Sequence, residues 1–315
     1  MEYTIIKMSF PHGVHFGQRD LEDVGCELYA DTFFSALCTE IVKQREEQLE
    51  WFVKNVRTGA LVFSDAFPYI SDNYFYLPRP ALLVEKKEDD ENGAETRKVW
   101  KNLSYLPYEN FEDYLHGEID SERAKCLKED FALGNTEVRT NASVTYVDET
   151  KPYRVGSYHF QEKCGLYVIV GYQNEEIYQF FKDVLVSLSY SGIGGRKSAG
   201  YGRFTVEEES VPAEILERLR EKTDAGKTYM TLSVSLPLDE ELDKVLETAN
   251  CVWIKRSGFV TSLEYSKSYR RRQDLYVMKS GSCVKQGFQG DIYDVSDEFG
   301  KHPVYRYAKP MFLEV

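Results

Sequence analysis

The segment EEIYQFFKDVLVSLSYS (175–191) constrains the fold most, because its apolar residues recur with the period of an amphipathic helix. These residues are Ile177, Phe180, Phe181, Val184, Leu185 and Leu188. A glycine-rich loop, SGIGGRKSAGYGRF (191–204), follows directly, and the residues after it predict a strand. Phosphate loops of the P-loop and Rossmann types run strand–loop–helix, with the helix N-terminus facing the anion. The helix–loop–strand order here therefore argues against a mononucleotide site.

The first two-thirds of the chain predict two strand–helix–strand units. YTIIKMSF (3–10) predicts a strand, and 30–52 predicts a helix with Asp31 as its N-cap. The inward face of that helix is predicted to carry Phe33, Phe34, Leu37, Cys38, Ile41 and Val42. GLYVIVGY (165–172) predicts a buried strand before the helix at 175–191. Together these elements predict a split β–α–β, ferredoxin-like skeleton with a large insert.

The remaining segments predict an insert and a second domain. Residues 85–98 are charged and poor in apolar side chains, which predicts an exposed tip. A hairpin is predicted within residues 135–160. TDAGKT (223–228) is typical of a domain boundary. The part that follows predicts a β-rich α+β domain, a decayed copy of the first.

Charge is distributed unevenly along the chain. The formal net charge of −13 argues against a freestanding, non-specific nucleic-acid binder, because such proteins are normally basic. Between Asp183 and Glu207, however, there is no acidic residue, and Arg196, Lys197 and Arg203 all lie in that interval. The sequence therefore permits a locally basic groove.

The glycine-rich loop combines this positive charge with a main chain that can approach a ligand closely. Its glycines let the backbone come near a sugar-phosphate chain and expose successive N–H groups to it. Arg196, Lys197 and Arg203 would supply the charge, and Tyr201 could stack on a base. The alternative is a mobile turn whose basic side chains lie in solvent.

Several other kinds of site are disfavoured. The six cysteines form no CxxC pair, which argues against a zinc ribbon and predicts free thiols in a reducing compartment. No H-E-x-x-H motif or carboxylate cluster is present, so neither a metal nor another cofactor is predicted. No apolar run has membrane-spanning length, and the start lacks the pattern of a signal peptide. We therefore expect a soluble, cytoplasmic protein without a membrane partner.

Two separated motifs resemble a known family. A helix followed by GIGGRKSAGYGRF resembles the glycine-rich loop of the RAMP superfamily of CRISPR proteins. FPHGVHFG (10–17), followed by ADTFFSALCTEI, narrows the resemblance to the type III-A (Csm-type) effector-complex subunit that holds the 5′ end of the CRISPR RNA. The resemblance covers the first two hundred residues well and the remainder in outline.

The resemblance implies an α+β fold with the RAMP architecture, that is, two ferredoxin-like (RRM-like) domains with insertions. The first domain would span 1–210, with an inserted segment at about 85–160 and the glycine-rich loop at 191–203. A degenerate second domain would span 226–315. The implied function is that of a non-catalytic scaffold that holds the repeat-derived 5′ tag of the crRNA. The implied protein partners are the large polymerase-like (Cas10-type) subunit and the first backbone RAMP subunit.

The resemblance also implies a set of RNA-binding residues. The loop contributes Gly192, Gly194, Gly195, Arg196, Lys197, Ser198, Gly200, Tyr201, Gly202 and Arg203. The histidine-containing segment contributes His12, His15, Phe16 and Gly17. Arg139 and Asn141 correspond loosely to a projecting hairpin that kinks the RNA in related subunits. Arg270 and Arg271, in SYRRRQ, could contact RNA or a partner, or could be solvated surface.

A second function stays open at this point. Relatives within the superfamily cut precursor RNA without metal, using histidine as general acid or base. His12 and His15 could serve in this way if they reached the attacking 2′-hydroxyl or the leaving oxygen. Alternatively, they contact RNA or cap the following structure. The alternative function is therefore a metal-independent CRISPR endoribonuclease.

Overall fold

The computed structural model of the chain describes residues 1–17, 20–82, 99–143, 151–221, 223–224, 226–260, 262, 264–266, 268 and 270–315. The predicted exposed tip at 85–98 lies outside these residues, as does the turn of the predicted hairpin at 144–150. The helices whose bounds lie within the described residues are α1 (Ala30–Arg45), α2 (Leu49–Arg57), α3 (Phe111–Leu115), α4 (Ser121–Glu129), α5 (Glu175–Ser191), α6 (Ala213–Leu216) and α7 (Asp239–Leu246).

Nineteen strands, most of them short, are formed by the described residues. They are β1 (Glu2–Ser9), β2 (Phe16–Gly17), β3 (Val24–Gly25), β4 (Leu61–Phe63), β5 (Phe67–Ile70), β6 (Tyr74–Pro78), β7 (Tyr105–Pro107), β8 (Gly134–Ser143), β9 (Lys151–Phe160), β10 (Gly165–Tyr172), β11 (Thr205–Ser210), β12 (Leu219–Arg220), β13 (Tyr229–Thr231), β14 (Trp253–Arg256), β15 (Leu275–Met278), β16 (Cys283–Val284), β17 (Asp291–Asp294), β18 (Tyr305–Ala308) and β19 (Phe312–Glu314).

The largest sheet has seven strands in the order β11–β1–β10–β5–β6–β7, and β4 also pairs with β10. Within it, β10 lies between β1 and β4 and is antiparallel to both, while β11 pairs antiparallel with the outer side of β1. Two strand–helix–strand units, β1–α1–β4 and β10–α5–β11, therefore interlock in one sheet. Ser9 at the end of β1 pairs with Thr205 at the start of β11. The glycine-rich loop therefore lies at the end of the sheet where β1 finishes.

The two faces of this sheet are covered by different parts of the chain. Because side chains alternate along a strand, Ile6 and Val168 pack beneath α1, α2 and α5. Their neighbours Ile5 and Ile169 point to the other face and pack with the β5–β7 extension and with α3 and α4. The segment from residue 99 to 133, predicted as part of an insert, thus contributes to the core.

Helix α5 confirms the prediction from periodicity, because all six apolar residues predicted to face inward are buried. Helix α1 departs from its prediction in three ways. A 3₁₀ turn at Glu46–Gln48 divides the predicted helix into α1 and α2. Val42 is 44% exposed, so it does not belong to the inward face. Asp31 does not cap the helix: the N-cap residue is Tyr29, and the Ala30 N–H donates to Asp65 instead.

The C-terminal part packs tightly against the first. Its four-stranded sheet has the order β12–β19–β13–β16, and two separate hairpins are formed by β14–β15 and β17–β18. Strand β18 contacts α1, and Val234, Val277, Ile292 and Tyr307 are buried in the same core cluster as α1 and α5. The two parts therefore share one apolar core.

Candidate RNA-binding site

The glycine loop (residues 191–204) begins where α5 ends. Gly192 has φ +80°, and its N–H donates to the carbonyl of Leu188 at 2.7 Å, which closes the last turn of the helix. On the neighbouring helix, the buried carboxylate of Glu40 accepts hydrogen bonds from Ser187 at 2.7 Å and Ser191 at 3.1 Å. Burial alone would raise the pKa of Glu40, but the hydrogen bonds it receives lower that pKa to about 2. The start of the loop is therefore anchored to α1.

Main-chain hydrogen bonds join the glycine loop to the histidine loop (residues 11–17). The N–H of Ile193 donates to Gly202 at 2.9 Å, which closes the glycine loop on itself. The N–H of Gly202 donates to Gly13 at 2.9 Å, and that of Gly195 donates to His15 at 2.9 Å. Two segments about 180 residues apart in the sequence thus form one unit. Gly192, Gly195 and Gly202 use their N–H groups inside the protein, which corrects the prediction that such groups face a ligand.

Close packing explains most of the glycines. A Cβ on Gly202, which has φ +80°, would lie 2.0 Å from the carbonyl oxygen of Ile193. A Cβ on Gly194 would lie 2.8 Å from the Phe16 ring, and one on Gly195 would lie 2.6 Å from the His15 ring. At Gly200, by contrast, φ is +92° and a Cβ would meet no atom within 4 Å. Gly194 and Gly195 therefore allow the two loops to touch, and Gly202 allows the glycine loop to close on itself. Gly200 instead allows a left-handed turn.

The basic side chains project from this packed unit. Lys197, Ser198 and Arg203 are exposed, and Tyr201 is half-buried. Partial desolvation and the charge of Lys43 lower the pKa of the Lys197 ammonium. The structure thus brings together a packed main chain and exposed positive charge, which is compatible with contact with an anion.

Arg196 differs from its neighbours in the loop. Its backbone is left-handed, with φ +57°, and its guanidinium lies 5.9 Å from the centre of the Tyr153 ring on β9. Its Nε is buried and has no hydrogen-bond partner among the described residues. The Arg196 side chain therefore connects the glycine loop to the hairpin formed by β8 and β9.

The histidine loop lies mostly beneath the glycine loop. His15 is 8% exposed, and its Nδ1 lies 2.8 Å from the carbonyl oxygen of Gly156 on β9. Phe16 is buried against Gly194, whereas His12 and Gly17 are exposed. His15 and Phe16 thus support the loop from inside rather than presenting their side chains at the surface, which differs from the predicted direct contact with RNA. Within this loop, His12 is the histidine that faces outward.

The predicted hairpin is formed by β8 and β9, and its base is tied to the site. Val14 and Tyr158 exchange two main-chain hydrogen bonds of 2.8 Å, and the rings of His159 and Tyr201 are 6.3 Å apart. Arg139 is exposed, but it donates two hydrogen bonds, of 2.8 and 3.1 Å, to Glu137 on the same strand. Its charge is therefore already compensated.

Asn141 lies further along β8, opposite Tyr153 in the strand register, and is half-buried. An open cavity of about 570 Å³ lies between the hairpin and residues 20–22, and its lining includes Glu22, Tyr153 and Arg154. Arg154 and Glu22 form an ion pair at 3.6 Å across it. The hairpin thus borders the site on the side of Arg196.

Arg270 and Arg271 lie in the C-terminal part, and no described contact joins them to the glycine loop. The guanidinium of Arg270 lies 3.8 Å from Asp297 and 4.6 Å from the centre of the Phe299 ring. That of Arg271 lies 5.9 Å from the centre of the exposed Phe259 ring. These two arginines therefore form a surface of their own.

A charged cluster that the sequence analysis missed lies between the two parts of the chain. Asp31 accepts hydrogen bonds from Arg256 at 2.9 Å and from Arg306 at 2.7 Å. Burial alone would raise the pKa of Asp31, but Arg256 and Arg306 outweigh burial and hold that pKa below its usual value. Asp31 lies inside α1, after its first residue Ala30, and its carboxylate is engaged by the two arginines instead of capping the helix. The available signal was an arginine at position 306 within the otherwise apolar and aromatic strand β18.

Asp65 lies beside this cluster. It is 2% exposed, and its Oδ1 accepts from the N–H groups of Ala30 at 2.8 Å and Val234 at 3.0 Å. Its Oδ2 is buried without a hydrogen-bond partner among the described residues. Burial raises the pKa of Asp65 to about 6, although the two N–H groups lower it in part. Asp65 therefore links the start of α1 to the C-terminal part.

The described part of the chain offers neither a metal centre nor a membrane span. No group of three or more His, Cys, Asp or Glu side chains there is arranged to hold a metal ion. None of the helices formed by these residues is long and apolar enough to cross a bilayer.

Comparison with known families and curated proteins gives consistent matches. A family model described as RAMP superfamily matches residues 14–205, and one described as CRISPR Csm4 C-terminal domain matches residues 224–315. CRISPR system Cms protein Csm4 of Streptococcus thermophilus is 31% identical, and the match covers 100% of this chain and 99% of that protein. The protein of the same name from Mycobacterium tuberculosis (strain CDC 1551 / Oshkosh) is 32% identical, with 95% and 93% covered.

Solved structures share the fold. A chain of the Csm3–Csm4 subcomplex of the type III-A CRISPR-Cas interference complex superimposes with a TM-score of 0.67 at 18% identity, covering 100% of this chain and 99% of that one. A chain of the Csm1–Csm4 cassette in complex with cA4 gives a TM-score of 0.59 at 19% identity, covering 99% and 98%. At these identities the likeness establishes a common fold.

Proposed function

This chain belongs to the Csm4 family of the RAMP superfamily, and we propose that it is a non-catalytic scaffold subunit of a type III-A interference complex that holds the repeat-derived 5′ tag of the crRNA. The observation that carries the proposal is the interlocked pair of loops. Their main chains bond to each other, so that the glycine loop keeps one shape while Lys197 and Arg203 point outward. A rigid loop with exposed cations can bind phosphates without first paying the entropy of becoming ordered.

The fold also supports this assignment. The order β11–β1–β10–β4, with two connecting helices, is the order expected of a ferredoxin-like core. We propose that this domain spans 1–210, that it carries an insert at about 85–160, and that a degenerate second domain spans 226–315.

The partners follow from the similar complexes. Chains with this fold occur in a Csm3–Csm4 subcomplex and in a Csm1–Csm4 cassette. We propose that the present chain likewise bridges a backbone RAMP subunit and the large polymerase-like (Cas10-type) subunit. A net charge of −13 with a basic loop is compatible with a subunit that meets RNA on one surface and proteins on others.

The positions of His12 and His15 favour a scaffold role over that of an endoribonuclease. A general acid or base must come within hydrogen-bond reach of the reacting atoms. His15 is instead buried beneath the glycine loop, with Nδ1 on the Gly156 carbonyl. His12 alone in this loop remains available to a ligand, and one exposed histidine without a second acid–base group is a poor substitute for a catalytic pair.

The test of the RNA assignment uses charge rather than glycine replacement. Gly194→Asp would collide with Phe16, so a loss of RNA in that variant would not separate misfolding from lost binding. The double variant Lys197→Glu and Arg203→Glu changes only exposed side chains. The tagged protein is purified gently from its native cells, and the co-purifying RNA is sequenced and quantified per protein.

We expect the natural protein to recover short RNAs with one common repeat-derived 5′ end, together with other RAMP subunits. The double variant should recover at least about tenfold less RNA, because it reverses two charges that face phosphates. Arg123→Glu is the matched control, since Arg123 is also exposed but pairs with Asp113 at 3.0 Å on another surface. Equal RNA recovery in the double variant and the control would contradict the assignment of the loop.

The same preparation tests the catalytic alternative. His12→Ala should leave the length and 5′ end of the recovered RNA unchanged. Accumulation of unprocessed repeat RNA in that variant, together with metal-independent cleavage by the purified natural protein, would instead make His12 catalytic.

A further inference from the structure

The cluster between the two parts of the chain contains more positive than negative charge. We call the set Asp31, Arg256, Arg272 and Arg306 the junction cluster. Asp31 is shared by Arg256 and Arg306, whereas Arg272 forms no ion pair with any described carboxylate. Two other acids lie near the cluster. Asp65 is bonded to main-chain N–H groups, and Asp274 is paired with Lys255 at 2.7 Å. The cluster therefore has a cation without a counter-ion.

The Arg272 side chain is held in place without being neutralised. Its backbone N–H donates to the carbonyl of Gly258 at 3.0 Å. A Cβ built on Gly258 would lie 3.3 to 3.7 Å from three atoms of the Arg272 guanidinium, so the group lies against the bare backbone of that glycine. The Nε of Arg272 is buried and has no hydrogen-bond partner among the described residues. A guanidinium with unused donors is costly in the free protein and is suited to an incoming anion.

The neighbouring arginines make this cost larger. Burial and the charge of Arg256 lower the pKa of Arg272. Burial and the charges of Arg272 and Arg256, opposed by Asp31, lower the pKa of Arg306 to about 10. Arg306 is 2% exposed, and its Nε also lacks a partner among the described residues. One carboxylate therefore does not compensate three guanidinium groups.

The junction cluster lies at the same end of the molecule as the glycine loop. Strands β1 and β4 are parallel, because both are antiparallel to β10. Leu28, just before α1, forms a β-bridge with Ala66, just after β4, so α1 and Asp31 begin at the end of the sheet where β1 finishes. The glycine loop meets the histidine loop through hydrogen bonds at Gly13 and His15. An RNA strand that leaves the glycine loop along this edge would therefore approach the start of α1.

The surface around Arg272 also favours RNA over a free anion. Phe259 follows Gly258 directly, is 55% exposed and forms a β-bridge with Arg271. An exposed aromatic ring beside cations is typical of single-stranded nucleic-acid sites, where bases stack on the ring and phosphates meet the charges. We propose that Arg272 binds a backbone phosphodiester of the RNA that the glycine loop holds. This inference rests on the proposed function.

The test measures binding of a fluorescein-labelled single-stranded RNA carrying the repeat-derived 5′ tag to the full-length protein, by fluorescence anisotropy at several NaCl concentrations. Arg272→Gln should weaken binding about tenfold, the equivalent of one charge-assisted hydrogen-bonding group. The slope of log K against log [NaCl] should become less steep by about 0.7, as expected when one phosphate contact to a single strand is lost. Arg272→Lys should keep the slope because it keeps the charge.

Two controls separate binding from structure. Arg123→Gln removes the same charge from an ion pair between α4 and Asp113 on α3, and this variant should bind RNA as the natural protein does. The melting temperature of Arg272→Gln should be unchanged or higher, because the substitution removes repulsion from Arg256 and Arg306. A lower melting temperature with unchanged RNA affinity would assign Arg272 a purely structural role and overturn the inference.

The remaining outcomes distinguish this inference from the proposed function. If the double variant Lys197→Glu and Arg203→Glu loses RNA while Arg272→Gln keeps the natural affinity and salt slope, the inference is wrong and the proposed function stands. If the natural protein neither binds the tagged RNA in solution nor recovers it from its native cells, both are wrong.

Discussion

The glycine loop and the junction cluster each contain three basic residues, yet they use them in opposite ways. In the glycine loop the main chain is packed and the charges of Lys197 and Arg203 face solvent. In the junction cluster the side chains are packed, and two of the three guanidinium groups pair with the single carboxylate of Asp31. Exposed cations are available to a ligand, whereas buried cations must first be paired. Basic side chains are therefore available to a ligand in one region and hold the two parts of the chain together in the other. Arg272 combines the two situations, because it is packed but has no ion-pair partner among the described residues.

The largest expected effect comes from removing the one carboxylate of the junction cluster. Asp31→Ala would leave Arg256 and Arg306 without their partner, and breaking a buried ion pair on one side costs about 3–5 kcal/mol. Urea unfolding followed by circular dichroism would measure this loss. Asp113→Ala, which removes the partner of Arg123 on the surface, should cost less than about 1 kcal/mol. Similar losses in the two variants would show that the junction cluster does not hold the two parts together.

The next effect separates close packing from backbone conformation in the glycine loop. Gly202→Ala and Gly200→Ala both place a side chain at positive φ, which costs roughly 1–2 kcal/mol. Only the first also forces a Cβ against the Ile193 carbonyl, so we expect it to lose a further 1–3 kcal/mol or so, about the cost of overpacking. The unfolding free energies of the two variants give the difference directly. Equal values would mean that the glycine loop is not tightly closed on itself where Gly202 meets Ile193.

The smallest effect is a pH dependence at the junction. The pKa of Asp65 is raised in the folded protein to about 6, against about 3.9 in an unfolded chain. Between these values the folded state holds the proton more tightly, so this group makes the protein more stable as pH falls. From pH 7 to pH 5 this group raises the free energy of unfolding by about 1 kcal/mol. Urea unfolding of the natural protein and of Asp65→Asn, each at pH 7 and at pH 5, measures this gain in stability.

Asp65→Asn isolates the contribution of this carboxyl because all other groups titrate equally in both proteins. Glu40 does not interfere, since its pKa is lowered to about 2 and its contribution is lost only at more acidic pH. A variant with the same pH dependence as the natural protein would contradict the assignment of the raised pKa to Asp65.

Local patterns predicted the elements around the site but not how they contact one another. The apolar period of α5, the strand at β10 and the position of the glycine loop all follow from residues a few positions apart. The interruption after Arg45 and the exposure of Val42 did not follow, because packing against α5 and β18 decides which face of α1 is covered. The sequence identified His12 and His15 as candidate residues. It did not show that His15 is buried, because that burial depends on contact with β9.

By itself the sequence determined the helix at 175–191, the glycine loop after it, and the two separated motifs that identify the superfamily. Each of these is a local property, because periodicity and motif spacing depend on neighbouring positions. Only the tertiary structure decided that Gly202 packs on Ile193, that Gly195 bonds to His15, and that Asp31 pairs with Arg306, 275 residues away. Such contacts depend on how distant segments meet, and a charge or a glycine in the sequence does not carry the identity of its partner.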